Sequence, residues 1–216
     1  MVIPRIIHQT WKTKKLLPEF STWSKTWIQL NPEFFYVFYT DKDCALFILT
    51  QYPQYYDLWK SLVGIEKVDV FRYLILHKYG GVYVDMDCEC LKPIGPLLDL
   101  FETSLITGYE YEEPIQYLQW FIACPKECKI MIELVEEVAS RSWYKWFKSW
   151  LLTENQLVYW FTGPILYTDV LRETRESLAI LDKGKLGCYD TKLIDRNSYL
   201  QHHFTGSWKS NKCKPI

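Results

Sequence analysis

The sequence predicts an α/β fold in which a mostly parallel sheet is flanked by helices. Segments with the composition of strands alternate along the chain with segments whose apolar residues recur at helical spacing, an order typical of such sheets. The chain has 216 residues, of which 49% are hydrophobic and 17% aromatic, enough to bury a sizeable core. No internal repeat, low-complexity tract or Gly/Ser-rich linker marks a boundary. We therefore expect one domain over residues 1–216.

The first predicted elements are two strands separated by a helix. A short apolar run predicts a strand at residues 3–7, and large apolar side chains at helical spacing predict a helix at residues 18–30. Asn31 and Pro32 would end this helix, because proline does not continue a helix. The aromatic residues that follow predict a second strand at residues 34–39.

Three helices are expected next. Asp41 can cap a helix that runs to about residue 52. Residues 55–62 predict a short helix, and residues 65–79 predict a long one. The middle of the long helix is almost entirely apolar, so we expect it to be buried.

The second half of the chain continues the alternation after a short strand at residues 82–84. Apolar runs predict strands at residues 105–108 and 120–123, and apolar spacing predicts helices at residues 127–140 and 165–174. Because parallel strands need long crossover connections, this order of elements favours a mostly parallel sheet.

The segment from residue 68 to residue 87 carries the strongest functional signal. Between residues 68 and 76 the only charged residues are Asp69 and Arg72, three apart on one helical face, although charge is normally excluded from a segment this apolar. Two glycines at residues 80–81 supply the permissive backbone that ends the helix. The strand that follows ends at two carboxylates, Asp85 and Asp87.

Two carboxylates at the end of a strand suggest a cation site. Ligands of open α/β sheets bind beyond the carboxyl ends of the strands. If the chain stays extended, Asp85 and Asp87 leave the same face roughly 6.5 to 7 Å apart at Cα, close enough to share a hard cation or its water shell. Two solvated acids would explain an isolated pair, but the charged helix before them favours a metal-dependent site for a nucleotide sugar.

Charge and cysteine content narrow the class of protein. The formal net charge is −1, so no global field favours nucleic acid or an anionic membrane as a partner. The seven cysteines are odd in number and lack the paired spacing of a zinc site, which predicts reduced thiols and a cytoplasmic protein. No apolar run approaches the about 18 residues of a transmembrane helix, so we expect a soluble protein.

Three blocks, in order, carry a resemblance to a known family: residues 3–11, residues 69–87 and residues 202–208. Together they resemble the glycosyltransferases of family 32, which include the yeast initiating mannosyltransferases, sphingolipid mannosyltransferases and, more distantly, the glucosyltransferase domain of clostridial toxins. The resemblance implies a GT-A-type fold for nucleotide-diphospho-sugar transfer, a divalent cation, usually manganese but alternatively magnesium, and retention of anomeric configuration. A member without a membrane anchor is similar to bacterial or large-DNA-virus relatives, and a viral member would act in host cytoplasm.

The resemblance also implies roles for the charged residues. Asp87 resembles the principal metal ligand of the family, and Asp85 the acid that contacts metal, ribose or donor sugar. Asp69 and Arg72 resemble the pair that holds donor-sugar hydroxyls and phosphate. A buried structural ion pair is the alternative for these two.

The carboxyl-terminal block supplies further candidates. His203, Gly206 and Lys209 reproduce a spacing in which, by resemblance, the histidine completes the metal shell, the glycine lets backbone approach the diphosphate and the lysine neutralises a phosphate. We favour His203, although His202 could face the site instead. Further donor-binding candidates are Trp11, stacked on the nucleobase, Ser207 beside the diphosphate, and two aromatic residues that could equally pack in the core, Tyr83 and Trp208.

An aromatic stripe has three possible roles. Trp143, Trp146 and Trp150 recur at helical spacing and are interleaved with Lys145 and Lys148. Such a stripe could stack on sugar rings, contact a lipid headgroup surface as a peripheral membrane site, or pack in the core.

Together with what the resemblance implies, these residues favour a retaining, metal-dependent transferase. We expect a hexosyl or deoxyhexosyl unit to move from a UDP- or GDP-sugar to a saccharide acceptor, either a glycan or a glycolipid. One alternative is a nucleotidyl or phosphoryl transferase, but such an enzyme would be expected to contain a Gly-rich phosphate-binding loop, and the sequence contains no P-loop motif. The other is a nucleotide-sugar-binding protein without turnover. No nucleic-acid partner is expected, and the sequence does not set the oligomeric state.

Overall fold

The computed structural model of the protein describes residues 2–187, 194 and 196–207. Helices pack against a central sheet, and a small second sheet lies beside it. The strands are β1 (Ile6–Thr10), β2 (Phe35–Tyr39), β3 (Gly81–Val84), β4 (Cys88–Cys90), β5 (Leu105–Glu112), β6 (Ile115–Tyr117), β7 (Phe121–Cys124), β8 (Leu178–Leu181) and β9 (Leu200–His202). The helices are α1 (Pro18–Leu30), α2 (Asp41–Gln51), α3 (Tyr56–Ser61), α4 (Ile65–Tyr79), α5 (Gly95–Leu100), α6 (Lys129–Ser142), α7 (Lys145–Lys148), α8 (Glu154–Phe161), α9 (Pro164–Glu173) and α10 (Lys183–Leu186).

The central sheet is mixed. Its order is β2-β1-β3-β7-β5-β6, with β8 paired to β5. The pairs β1–β2, β1–β3 and β5–β8 are parallel, whereas β3–β7, β5–β7 and β5–β6 are antiparallel. The α/β class is as predicted, but the sheet is less parallel than expected. The reason is that β6 folds back directly from β5 and leads into β7 without a crossover helix, so β7 enters antiparallel to both neighbours.

Two hydrophobic cores lie on opposite faces of the sheet. Alternate residues of β3 and β7 supply them: Tyr83 and Ile122 pack in one core, and Val82 and Phe121 pack in the other. The first core also contains α4, α6 and α9, and the second contains the small sheet β4–β9 and α5. Because the middle of α4 lies in the first core, its buried charged residues Asp69 and Arg72 cannot reach bulk water and must bond within the protein.

The first strand lies three residues later than the sequence predicts. The expected strand at residues 3–7 is observed as β1 at Ile6–Thr10. The strand begins after Pro4, which has no N–H to donate to a sheet. It ends later than predicted because residues 8–10 are polar, and an apolar pattern does not include them. All three are buried, and each makes a side-chain hydrogen bond to another part of the fold.

The predicted helices agree with the structure to within about two residues. The helices at residues 18–30 and 65–79 have the predicted bounds as α1 and α4, and α6 begins two residues later than expected. Local spacing missed the short elements, which are β4, β6, β8, β9, α5, α7, α8 and α10.

Five of the seven cysteines lie within the described residues. Cys44, Cys88, Cys90, Cys124 and Cys128 are free thiols. The other two, Cys188 and Cys213, lie outside the described residues. Over the parts of the chain that the structure describes, no helix combines the length and the hydrophobicity that crossing a bilayer requires.

The glycine pair between α4 and β3 is required by the backbone. Gly80 has φ +65° and Gly81 has φ +90°, in the region that favours glycine. A Cβ atom on Gly81 would lie 2.5 Å from the carbonyl oxygen of Ile6 in the neighbouring strand β1. Only glycine therefore lets β3 pair with β1 directly after the helix ends.

We predict that Gly81→Ala lowers the free energy of unfolding by about 3 kcal/mol or more, because backbone strain and a clash with β1 add together. Gly64 is the matched control, since it also has positive φ, at +51°, but its Cβ would meet nothing within 4 Å. Gly64→Ala should cost only about 1 to 2 kcal/mol. Urea denaturation measures both, and equal losses would contradict the proposed clash.

Candidate active site

A cavity of about 330 Å³ opens at the carboxyl ends of β1 and β3. This is where the sequence predicts a ligand site, because the loops after these strands surround it. The cavity wall contains Trp11 after β1, Asp69 and Arg72 of α4, Tyr83, Asp85 and Asp87 at and after β3, Glu110 of β5, Gln119 before β7, His202 of β9, and Gly206 and Ser207.

Arg72 is the centre of a buried charge network. Its Nη2 lies 3.2 Å from Asp69 Oδ1 and 3.2 Å from Asp85 Oδ1. Its Nη1 donates to the carbonyl oxygen of Gln119 at 2.8 Å, and its guanidinium lies 4.8 Å from the ring centre of Tyr83. The side chains of Asp69 and Arg72 are 2% exposed, whereas that of Asp85 is 26% exposed. Arg72 therefore joins the buried helix to the carboxylate at the cavity surface.

Both carboxylate oxygens of Asp69 accept hydrogen bonds from neighbouring side chains. Besides Arg72, its carboxylate accepts hydrogen bonds from Gln119 Nε2 and Thr162 Oγ1, both at 2.7 Å. Burial raises the pKa of Asp69, and Arg72 and Thr162 partly offset this rise. For Arg72, burial alone would lower the pKa, but the negative charge of Asp85 and the other neighbours outweighs it and raises the pKa. The buried ion pair considered from the sequence is present, and both residues also form part of the cavity wall.

Asp87 is bound through both carboxylate oxygens by the end of β9 and the residues that follow it. His202 Nε2 lies 3.0 Å from Oδ1, and Thr205 donates its backbone N–H and its hydroxyl to Oδ2 at 3.1 and 2.9 Å. Burial alone would raise the pKa of Asp87, but the hydrogen bonds from His202 and Thr205 outweigh it and lower the pKa to about 2. For Asp85, burial and the nearby charge of Asp87 raise the pKa despite Arg72.

The two adjacent histidines face different partners. His202 meets Asp87, whereas His203 Nε2 lies 3.1 Å from Glu89 Oε2 and its ring stacks on Trp23 at 3.9 Å. The structure thus differs from the expectation that His203 lies beside the aspartates. Neighbouring residues of an extended segment project to opposite sides, so only one of the two imidazoles can face Asp87. Asp87 lies in the turn before β4, outside the strand pairing, and from there its carboxylate reaches His202.

Aromatic rings hold the His202 imidazole in place. Trp120 stacks on it with ring centres 4.6 Å apart, and Phe204 lies on it at 4.0 Å. The Nδ1 atom of His202 is buried and has no hydrogen-bond partner among the described residues. Trp120 Nε1 also donates to Glu110 Oε2 at 2.6 Å, and burial raises the pKa of Glu110. Sequence reasoning missed Glu110, because a single acid in a strand belongs to no motif.

The donor set fits a hard divalent cation. Ligand atoms of Asp87, Cys88 and His202 all lie within 4.8 Å of one another, and Asp85 is two residues from Asp87. Burial raises the pKa of the Cys88 thiol well above its ordinary value. Sulfur is also a soft ligand, which manganese and magnesium do not favour. Carboxylate oxygen and imidazole nitrogen remain, a combination that suits manganese or magnesium better than a soft metal.

The candidate donor-binding residues lie in different settings. Trp11 is partly buried in the cavity wall, and its ring meets Phe20 edge-on at 4.7 Å. Tyr83 forms part of the wall but is fully buried, with its hydroxyl 3.1 Å from Thr10 Oγ1. Its ring packs against the guanidinium of Arg72, so its role is to support that side chain. Gly206, with φ +60°, and Ser207 also line the cavity. The two remaining candidates, Trp208 and Lys209, lie outside the described residues.

Comparison with known proteins agrees with this site. Residues 18–107, which include Asp69, Arg72 and both aspartates after β3, match the family model for the glycosyltransferase sugar-binding region containing a DXD motif. Inositol phosphoceramide mannosyltransferase 1 of Schizosaccharomyces pombe is 35% identical over 221 residues, which cover 98% of this chain and 64% of that protein. Inositol phosphoceramide mannosyltransferase 3 of the same yeast is 44% identical over 97 residues, which cover 44% of this chain and 27% of that protein.

Other similarities extend over most of the chain. The initiation-specific alpha-1,6-mannosyltransferase of Candida albicans is 30% identical over 203 residues, which cover 79% of this chain and 52% of that protein. The chain thus spans between about a quarter and about two thirds of the length of these three relatives. Among solved structures, PaToxG glycosyltransferase superposes with a TM-score of 0.59 at 19% identity and covers 80% of this chain and 70% of its own, a likeness of fold.

The lowered pKa of Asp87 predicts a loss of stability in acid. The ordinary pKa of 3.8 falls to about 2 in the folded protein, so the ionised form stabilises the fold above the ordinary value and this contribution fades as pH falls toward 2. In metal-free protein, the stability advantage over Asp87→Asn should shrink by about 1 kcal/mol from about pH 5 to about pH 3. Urea titrations of both proteins measure this, and parallel pH dependences would contradict the hydrogen bonds assigned to Asp87.

Proposed function

We propose that the chain, which has a GT-A-type fold, is a member of the family of glycosyltransferases that contain a DXD motif and acts as a retaining, metal-dependent sugar transferase. In this proposal, a hexosyl or deoxyhexosyl unit moves from a UDP- or GDP-sugar to a saccharide acceptor. The observation that carries the proposal is the position of Asp85 and Asp87, which stand at the carboxyl end of β3 in the wall of a 330 Å³ cavity and are held there by Arg72 and His202.

The cation would be held by Asp87, His202 and Asp85. When bound, a divalent ion would offset the negative charge that develops on the diphosphate leaving group. His202 replaces His203 in this assignment, because its Nε2 lies 3.0 Å from Asp87 Oδ1, a separation that two ligands of one metal can have. Manganese or magnesium would suit these oxygen and nitrogen atoms.

The donor would be positioned by the chain on either side of the cation. We assign the nucleobase to Trp11, whose ring lies in the cavity wall and could stack on a base. Arg72 would act as a positioning residue that orients Asp85 and balances its charge, since its own Nη atoms are already bonded within the protein. Gly206 and Ser207 would approach the diphosphate with their backbone. The roles expected for Trp208 and Lys209 stay predictions.

The relatives suggest the sugar and the acceptor. These relatives are named as inositol phosphoceramide mannosyltransferases and an alpha-1,6-mannosyltransferase, so we propose a mannosyl unit and an acceptor that is a glycolipid or a glycan. The base of the donor stays open between uracil and guanine. A cytoplasmic location and a bacterial or viral origin also stay predictions.

We predict that a panel of UDP- and GDP-sugars with manganese yields free nucleoside diphosphate, because glycosyl transfer breaks the bond between the sugar and the diphosphate. Asp87→Asn and added chelator should abolish the release. Release of pyrophosphate or nucleoside monophosphate would instead support a nucleotidyl or phosphoryl transferase. Donor binding without turnover would identify a nucleotide-sugar-binding protein.

The two histidines give a sharper test of the cation site. His202→Ala should weaken manganese affinity at least about 100-fold, because loss of a direct ligand costs more than loss of an outer partner. His203→Ala is the matched control and should change the affinity little, since this ring meets Glu89 and Trp23. Manganese titration by electron paramagnetic resonance measures both affinities. A larger loss of manganese affinity in His203→Ala than in His202→Ala would instead identify His203 as the ligand.

A further inference from the structure

A compact patch of exposed aromatic residues follows α6. Large apolar side chains normally leave water, yet six within nine residues are between 52 and 82% exposed. We call them the aromatic patch: Trp143, Tyr144, Trp146, Phe147, Trp150 and Leu151. This finding excludes the core role that the sequence left open for the three tryptophans. None of the six lies in the cavity wall.

The patch segment is amphipathic, but its apolar face points to solvent and not to the core. Five of the six patch residues recur at the spacing of one helical face, and backbone hydrogen bonds to carbonyls three or four residues earlier continue through this stretch. Lys145 turns toward the protein, with Nζ 2.7 Å from Glu66 Oε2, whereas Lys148 is half-exposed, with Nζ 5.4 Å from the ring centre of Trp160. An ordinary surface helix buries its apolar face, so this one presents its apolar face for another partner.

The patch is fixed rigidly to the rim of the cavity. Glu66 is 2% exposed and also accepts the backbone N–H of Val63 at 2.9 Å, so one carboxylate ties the patch segment to the start of α4. Gly64 and Ile65, beside Glu66, line the cavity. On the other side, α7 packs against α8, whose Val158 and Tyr159 also line the cavity.

We propose that the aromatic patch docks the protein on the surface of an anionic phospholipid bilayer. Trp and Tyr are the residues that favour the boundary between lipid and water, because each has an apolar body and a polar tip. Residues 143–153 contain two lysines and no acidic residue. Glu66 balances Lys145, so Lys148 supplies positive charge that complements acidic headgroups.

Docking in this orientation deepens the proposed function. The proposal of a glycolipid acceptor requires that a headgroup held in a bilayer reach the cavity. Because the patch and the cavity share the start of α4 and helix α8, insertion of the patch would place the cavity mouth beside the bilayer surface. Docking through the aromatic patch would therefore bring a glycolipid headgroup in the bilayer to the cavity.

The test is flotation of the full chain with vesicles of phosphatidylcholine that contain about a third phosphatidylserine. The wild-type protein should float with them, and combined Trp143→Ser, Trp146→Ser and Trp150→Ser should reduce partition by about tenfold or more. The matched control combines Phe35→Ser, Leu46→Ser and Leu100→Ser, three equally exposed apolar residues on other elements, and should float like wild type. Lys148→Glu should weaken binding to the acidic vesicles but not to pure phosphatidylcholine.

Several outcomes would overturn docking. They are wild-type protein that does not float, a triple tryptophan variant that floats equally well, and light scattering that shows the patch joining two copies of the chain. Donor turnover with a water-soluble saccharide is measured in parallel, and thermal unfolding checks that each variant is folded. Turnover without flotation would overturn docking alone, whereas flotation without turnover would overturn the proposed function and leave docking supported.

Discussion

The rest of the site depends on one buried cation, the guanidinium of Arg72. It lies between Asp69 in the helix and Asp85 at the end of β3, with Nη2 3.2 Å from each carboxylate. Removing any one of these partners would leave charge uncompensated away from water, at a cost of about 3 to 5 kcal/mol. The network therefore does more than stabilise: it fixes the orientation of Asp85, and through the short turn after β3 it fixes where Asp87 stands.

The second constraint comes from the opposite end of the chain. The end of β9 and the residues after it bring His202 and Thr205 to Asp87, which lies more than a hundred positions earlier in the sequence. Trp120 and Phe204 both pack against the imidazole and meet each other edge-on, which limits its movement. Such preorganisation matters for catalysis, because groups that are already in place need no reorganisation when charge develops in the transition state.

Much of this could be predicted from the sequence because the signals are local. Asp69, Arg72, the glycine pair and the two aspartates stand close together, and their spacing gives both the long helix and the strand end. What local patterns could not give were choices set by distant pairing. The bounds of β1 depend on buried polar residues whose partners lie elsewhere in the fold, and the antiparallel entry of β7 depends on a tight return from β5. The choice of His202 depends on the turn before β4, which brings the Asp87 carboxylate to that imidazole. Glu110 became a candidate only when β5 placed it beside Trp120.

The central claim is that the carboxylates after β3 and His202 hold a divalent cation together with a nucleotide-linked sugar. Anomalous diffraction from crystals soaked with manganese and a nucleoside diphosphate tests it most directly. We expect an anomalous peak within about 2.0 to 2.3 Å of ligand atoms of Asp87 and His202, on the side facing the cavity. A peak beside Glu89 and His203, or a nucleotide bound with no peak at Asp87, would contradict the account.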